Sequence, residues 1–169
     1  MNLNIKELLH KAYEVALKSK DPSTQNGALI IVALDEPFRA GAVLASDCNR
    51  FPDGVIETSE RWERPLKYEY IEHAERNSIF TAARKGVQIE GRVMICPWAP
   101  CADCARAIIQ SGIRELVTHK QAHDRSPERW REQIDRAIGM LREGRVKYTT
   151  YDGKIGAPAI RHNGELWEP

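Results

Sequence analysis

Apolar residues recur at helical spacing through Ile5, Leu8, Leu9, Ala12, Val15 and Ala16. That period predicts an amphipathic helix over residues 5–19, broken by Asp21-Pro22-Ser23. The short β-branched run Ala28-Leu29-Ile30-Ile31-Val32-Ala33-Leu34 predicts a buried strand. A turn at Asp35-Glu36-Pro37 leads to a second strand over residues 40–45. Residues 46–70 show no period and contain Pro52, Gly54 and Pro65; a connection of that length usually carries function. Beyond it the pattern alternates. A helix over 72–85 is closed by Gly86, followed by a strand over 92–96, a helix over 102–110, a strand over 115–118, a helix over 127–142 and a strand over 146–150. This order predicts a single α/β domain spanning residues 1–169: three layers, with helices on both faces of a five-stranded sheet. The last three strands, each reached through a helix, are expected to be parallel. The Gly- and Pro-bearing tail from Tyr151 is expected on the surface.

Composition narrows the function without choosing it. The 169 residues are enough for one core, and the formal net charge of +1 gives no electrostatic footprint of a non-specific nucleic-acid or membrane binder. No run approaches the ~18 consecutive apolar residues of a membrane span. Residues 1–7 lack the blocks of a secretory signal, so the expectation is a cytoplasmic protein with reduced cysteines. Four cysteines occur, Cys48, Cys96, Cys101 and Cys104, and the last two have metal-ligand spacing.

The chemistry concentrates at two predicted helix starts, His73-Ala74-Glu75 and Pro100-Cys101-Ala102-Asp103-Cys104. Together they form H-x-E…P-C-x-x-C, a signature of zinc deaminases. Cysteines three apart share one face of a helical turn, and a helix N-terminus favours thiolate there. His73 supplies a third ligand, which leaves the fourth zinc position for water, as in catalytic sites. Glu75 lies two residues away, close to the metal but free to move protons. A structural four-ligand site closed by Cys48 or Cys96 is the alternative; Cys96, ending an apolar strand, reads more simply as a small buried side chain. Trp98 reads as a pocket wall or core aromatic.

From about Ala12 to Val117 the chain resembles the deoxycytidylate (dCMP) deaminase family of the cytidine deaminase superfamily. The likeness rests on Ser19 to Gln25 followed by Gly27-Ala28, on Asn49-Arg50-Phe51-Pro52-Asp53-Gly54, and on Lys67-Tyr68-Glu69-Tyr70 before the His73 motif. It rests also on the run from Cys104 to Ile113. The resemblance implies the cytidine deaminase-like fold with a mixed sheet, Zn2+ on His73, Cys101 and Cys104, and Glu75 as proton shuttle. It implies hydrolysis of a cytosine nucleotide, foremost dCMP to dUMP and ammonia, by zinc-bound hydroxide. It further implies that Asn49 bonds the sugar, that the Ala99 carbonyl accepts from the exocyclic amine and that the Ala74 N–H meets the base carbonyl. Arg50, Phe51, Pro52 and Gly54 fall where such enzymes bind dCTP or dTTP with Mg2+, and a homo-oligomer is expected.

Asn26 stands where the family has a branched apolar residue against the base, and Arg50 where it has glycine. A buried Asn26 amide needs a partner: a protein group, an ordered water, or a polar group of the substrate such as a 5-hydroxymethyl. The competing functions are a polynucleotide deaminase and an inactive zinc-stabilised binding module. Near-neutral charge and few aromatic residues disfavour the first, and the presence of Glu75 disfavours the second.

Overall fold

The structure, a computed structural model, describes residues 4–169. Helix α1 (Ile5–Ala16) opens on a capping box: Asn4 Oδ1 accepts from the Glu7 N–H and the Glu7 carboxylate accepts from the Asn4 N–H. Its buried face is Leu8, Leu9, Ala12, Tyr13 and Ala16. It stops three residues before the expected end, where the Ser19 hydroxyl donates to the Asn49 carbonyl and accepts from the Asp21 N–H. Strand β1 (Gly27–Ile31) pairs antiparallel with β2 (Val43–Cys48) and with β3 (Val93–Ile95). Strands β4 (Glu115–His119) and β5 (Lys147–Tyr151) continue the sheet in parallel from β3, giving the order β2-β1-β3-β4-β5. The sheet is mixed and five-stranded, with β3, β4 and β5 parallel.

Alternation along the strands feeds two cores. Leu29, Ile31, Val93, Ile95 and Val117 join the α1 face in one cluster. Ala28, Ile30, Met94 and Leu116 face the other, beneath α3 (Ala74–Arg84), α4 (Ala102–Gln110) and α6 (Glu128–Glu143). Burial on both faces explains why β1 reads as a continuous apolar run. At Gly27 the layers meet backbone to backbone: a Cβ there would lie 2.3 Å from the Ala12 carbonyl oxygen.

The second strand begins later than residues 40–45. Arg39 (φ 60°) and Gly41 (φ 74°) turn the chain, so the hairpin loop extends through Ala42, whose carbonyl accepts from Val32 N. The connection after β2 is partly ordered: a 3-10 turn (Glu60–Trp62) and helix α2 (Lys67–Tyr70) precede the His73 motif. A further short helix, α5 (Lys120–Asp124), follows β4 directly.

The tail is not a surface appendage. Strands β6 (Ile160–His162) and β7 (Glu165–Trp167) form an antiparallel hairpin whose turn residues Asn163 and Gly164 both have positive φ. Ile155, Ala157 and Ile160 are buried in the α1-side core, with Trp167 packed against it. α1 alone does not cover that face of the sheet, and these apolar side chains complete it. Asn-Gly with apolar residues on either side is a hairpin signal, legible in the sequence.

Candidate active site

His73 and Cys101 occupy equivalent places, each the extended N-cap residue of its helix, α3 and α4, and neither spends its side chain on a capping bond. Cys104 follows in the first turn of α4. Because α3 and α4 lie side by side on the sheet, the two motifs meet. His73 Nδ1 lies 3.5 Å from Cys101 Sγ and 3.5 Å from Cys104 Sγ. A tetrahedral zinc with Zn–S of about 2.3 Å and Zn–N of about 2.0 Å requires N···S edges of roughly 3.5 Å. Both N···S edges therefore match the spacing such an ion would impose, and all three ligand atoms lie within 4.8 Å of one another. Among the described residues the cluster holds these three groups only. Cys48 and Cys96 are buried elsewhere, and burial pushes both thiols up.

The three groups act on one another electrostatically. A hydrogen bond from the Cys104 thiol, with a smaller contribution from His73, brings the Cys101 thiol down to about 3. Cys104, the donor in that pair and buried, moves up. Burial alone would lower the His73 pKa; the bond to Cys101 and the charge of Glu75 outweigh it and bring it to about 9. Glu75 lies in the first turn of α3, 2% exposed, and burial raises its carboxyl pKa despite the opposing pull of His73. Its Oε2 has no hydrogen-bond partner.

His73, Glu75 and Cys101 line a pocket that also takes in Asn26, Asn49, Trp98 and Ala99, with Cys104 buried behind it. Ala74 is wholly buried in the core cluster beneath α3. Two walls come from regions that carried no site prediction. One is the N-terminal part of α6, with Trp130, Gln133 and Ile134; the other is the tail hairpin, with His162 and Asn163. The His162 ring stacks on Trp98, centroids 4.5 Å apart, and Trp98 Nε1 donates to the Gln25 carbonyl. Trp98 is thus both pocket wall and core aromatic.

Residues 3–120 match the cytidine and deoxycytidylate deaminase zinc-binding region. The chain belongs to this family. An uncharacterized deaminase in the luxG 3' region of Aliivibrio fischeri is 33% identical over 144 residues, 85% of this chain and 90% of that one. Human deoxycytidylate deaminase is 30% identical over 123 residues, covering 69% of this chain and 65% of the human protein. The crystal structure of dCMP deaminase from cyanophage S-TIM5 in complex with dCMP and dUMP has the same fold, with TM-score 0.64 and 23% identity over 89% of this chain and 99% of that one. The protein is accordingly a hydrolytic deaminase with a zinc-binding domain.

In this deaminase the remaining sequence-selected residues divide into two groups. Asn26 lines the pocket with its amide already engaged: Oδ1 accepts from the Gly27 N–H, and Nδ2 donates to Cys96 Sγ. Of the three partners weighed for it, the protein supplies one. Asn49 also lines the pocket; Nδ2 donates to Asp21 and to the Thr24 carbonyl, while Oδ1 accepts from the Asn26 N–H. Asp21 is itself paired with buried Lys67. By contrast, Arg50, Phe51, Pro52 and Gly54 lie outside the pocket. The Arg50 guanidinium grips Asp47 and Asp53, and Phe51 is buried against Trp62 at 4.3 Å between centroids.

Proposed function

We propose that the protein hydrolyses the exocyclic amine of a free cytosine nucleotide, dCMP to dUMP and ammonia in the leading case. The observation that carries the proposal is the His73–Cys101–Cys104 cluster, with His73 Nδ1 at zinc spacing from both thiols, beside buried Glu75, whose Oε2 has no partner. In this reading His73 Nδ1 and the two thiolates hold Zn2+, which when bound supplies Lewis-acid activation of water near neutral pH. Glu75 takes one proton of the attacking water and delivers it to ring N3, then carries the remaining proton from the new C4 hydroxyl to the departing amine as the C4–N bond breaks. Water adds at C4 and ammonia leaves, so atoms balance. A raised carboxyl pKa suits a group that must both accept and donate.

The Ala99 carbonyl and the Ala74 N–H are assigned to the exocyclic amine and the base carbonyl, with Trp98, Asn26 and Asn49 as walls. Arg64 and Arg129 along the pocket suit an anionic substrate. With a net charge of only +1, a polynucleotide substrate is the weaker alternative. No helix among the described residues is long and apolar enough to cross a membrane, and a cytoplasmic location is proposed. Homo-oligomerisation and control by dCTP or dTTP with Mg2+ rest on family resemblance. A triphosphate at Arg50 would compete with two carboxylates.

Ammonia release from dCMP, CMP, dCTP and deoxycytidine tests the substrate. Glu75→Gln tests the mechanism: zinc content stays, and turnover falls by roughly 10²–10⁴-fold. A wild-type rate in that variant refutes the shuttle.

A further inference from the structure

We propose that Gln133 recognises a hydroxyl group of the bound nucleotide and thereby sets which nucleotide the deaminase prefers; this rests on the cytosine-nucleotide reading above. Among the described residues four buried side-chain nitrogen or oxygen atoms have no hydrogen-bond partner: Glu75 Oε2, Arg76 Nε, Arg92 Nε and Gln133 Oε1. The two arginine nitrogens belong to guanidinium groups already paired elsewhere, Arg76 with Glu72 and Arg92 with Glu36. Both oxygens belong to residues that line the pocket. One is the carboxylate assigned to proton transfer. The other belongs to an amide on α6, which lines the pocket together with Trp130 and Ile134.

A buried acceptor without a donor is costly, and native structures rarely keep one unless something else supplies the partner. Here that partner is a ligand. Among the pocket amides, Asn26 is satisfied by Gly27 and Cys96, and Asn49 by Asp21, Thr24 and Asn26; Gln133 is the one with a buried oxygen left for the substrate. A cytosine nucleotide offers few donors. Its exocyclic amine is the leaving group, and ring N3 and the base carbonyl are acceptors. The remaining donors are hydroxyls, on the sugar or on a 5-hydroxymethyl substituent. A hydroxyl both donates and accepts, so it satisfies either orientation of the amide. Gln133 lies on α6, beyond the matched residues 3–120 that hold the metal motif.

The test compares kcat/KM of zinc-loaded wild type and Gln133→Met on CMP, dCMP, 2′,3′-dideoxy-CMP and 5-hydroxymethyl-dCMP. Methionine keeps length and helix propensity and removes both hydrogen-bonding groups. For one hydroxyl, the variant should lose about tenfold or more on the nucleotide that bears it, and less than about threefold on the counterpart that lacks it. CMP against dCMP reports the 2′-hydroxyl, dCMP against the dideoxynucleotide the 3′-hydroxyl, and 5-hydroxymethyl-dCMP against dCMP the ring substituent. Gln133→Leu, read in the same way with zinc content and Tm measured, guards against a misfolded methionine variant. Equal losses on all four nucleotides, or no loss on any, overturn the inference while leaving the function standing. If the wild type turns over none of them, the reading of the function falls and the inference with it.

Discussion

Lys67 and Asp21 form an ion pair with side chains only 7% and 2% exposed, Nζ lying 2.6 Å from Oδ2. The carboxylate also accepts from the Ser23 and Thr24 N–H groups and from Asn49 Nδ2, so it joins α2, the segment entering β1 and one wall of the pocket. Lys67→Met removes the ammonium and keeps the apolar stem. At this separation the pair attraction is about 6 kcal/mol for an effective dielectric of ~20, less the desolvation that lysine no longer incurs. Breaking one side of a buried pair typically costs ~3–5 kcal/mol. Three surviving N–H donors keep the carboxylate solvated, so the low end, about 3 kcal/mol, is expected. Urea unfolding of the zinc-loaded protein at constant m-value measures it. Asp21→Asn alone should also destabilise, by stranding the ammonium, whereas Asp21→Asn with Lys67→Met should lose less than the sum of the singles. A loss under about 1 kcal/mol for Lys67→Met, or strict additivity in the double variant, would refute the reasoning.

Gly27→Ala drives a Cβ to 2.3 Å from the Ala12 carbonyl oxygen and 2.5 Å from the Ala16 nitrogen, both backbone atoms of α1. The helix must lift from the sheet, and a Tm fall of roughly 6–12 °C is expected, from about 3 kcal/mol of overpacking; an unchanged melting curve would show that α1 yields freely. Trp167→Ala removes a half-buried ring that stacks on His119 and packs on Tyr13 and Trp98. It should cost about 2 kcal/mol in denaturant unfolding; no loss would mean that the tail hairpin is not part of the cooperative core. Cys101→Ala should leave the purified protein depleted of zinc as well as inactive, since two ligands hold the ion poorly. Full zinc occupancy by metal analysis would exclude this ligand set.

The sequence by itself determined whatever depends on short range. Helix α4 runs Ala102–Gln110, as its spacing predicts, because periodicity and the preceding proline act within a few residues. The parallel run β3-β4-β5 follows from strands separated by helices. Each half of the metal motif was legible for the same reason, being confined to one helix start. Only the tertiary structure decided the contacts made across the chain. It brings His73 to 3.5 Å from a cysteine 28 residues away, and it satisfies Asn26 with a thiol 70 residues away. It folds the tail back over the α1-side core and sets Gln133, partnerless, in the pocket wall. Strand order and register place those partners, and both are settled when apolar faces from distant segments close on one another, a requirement that no local window of sequence contains.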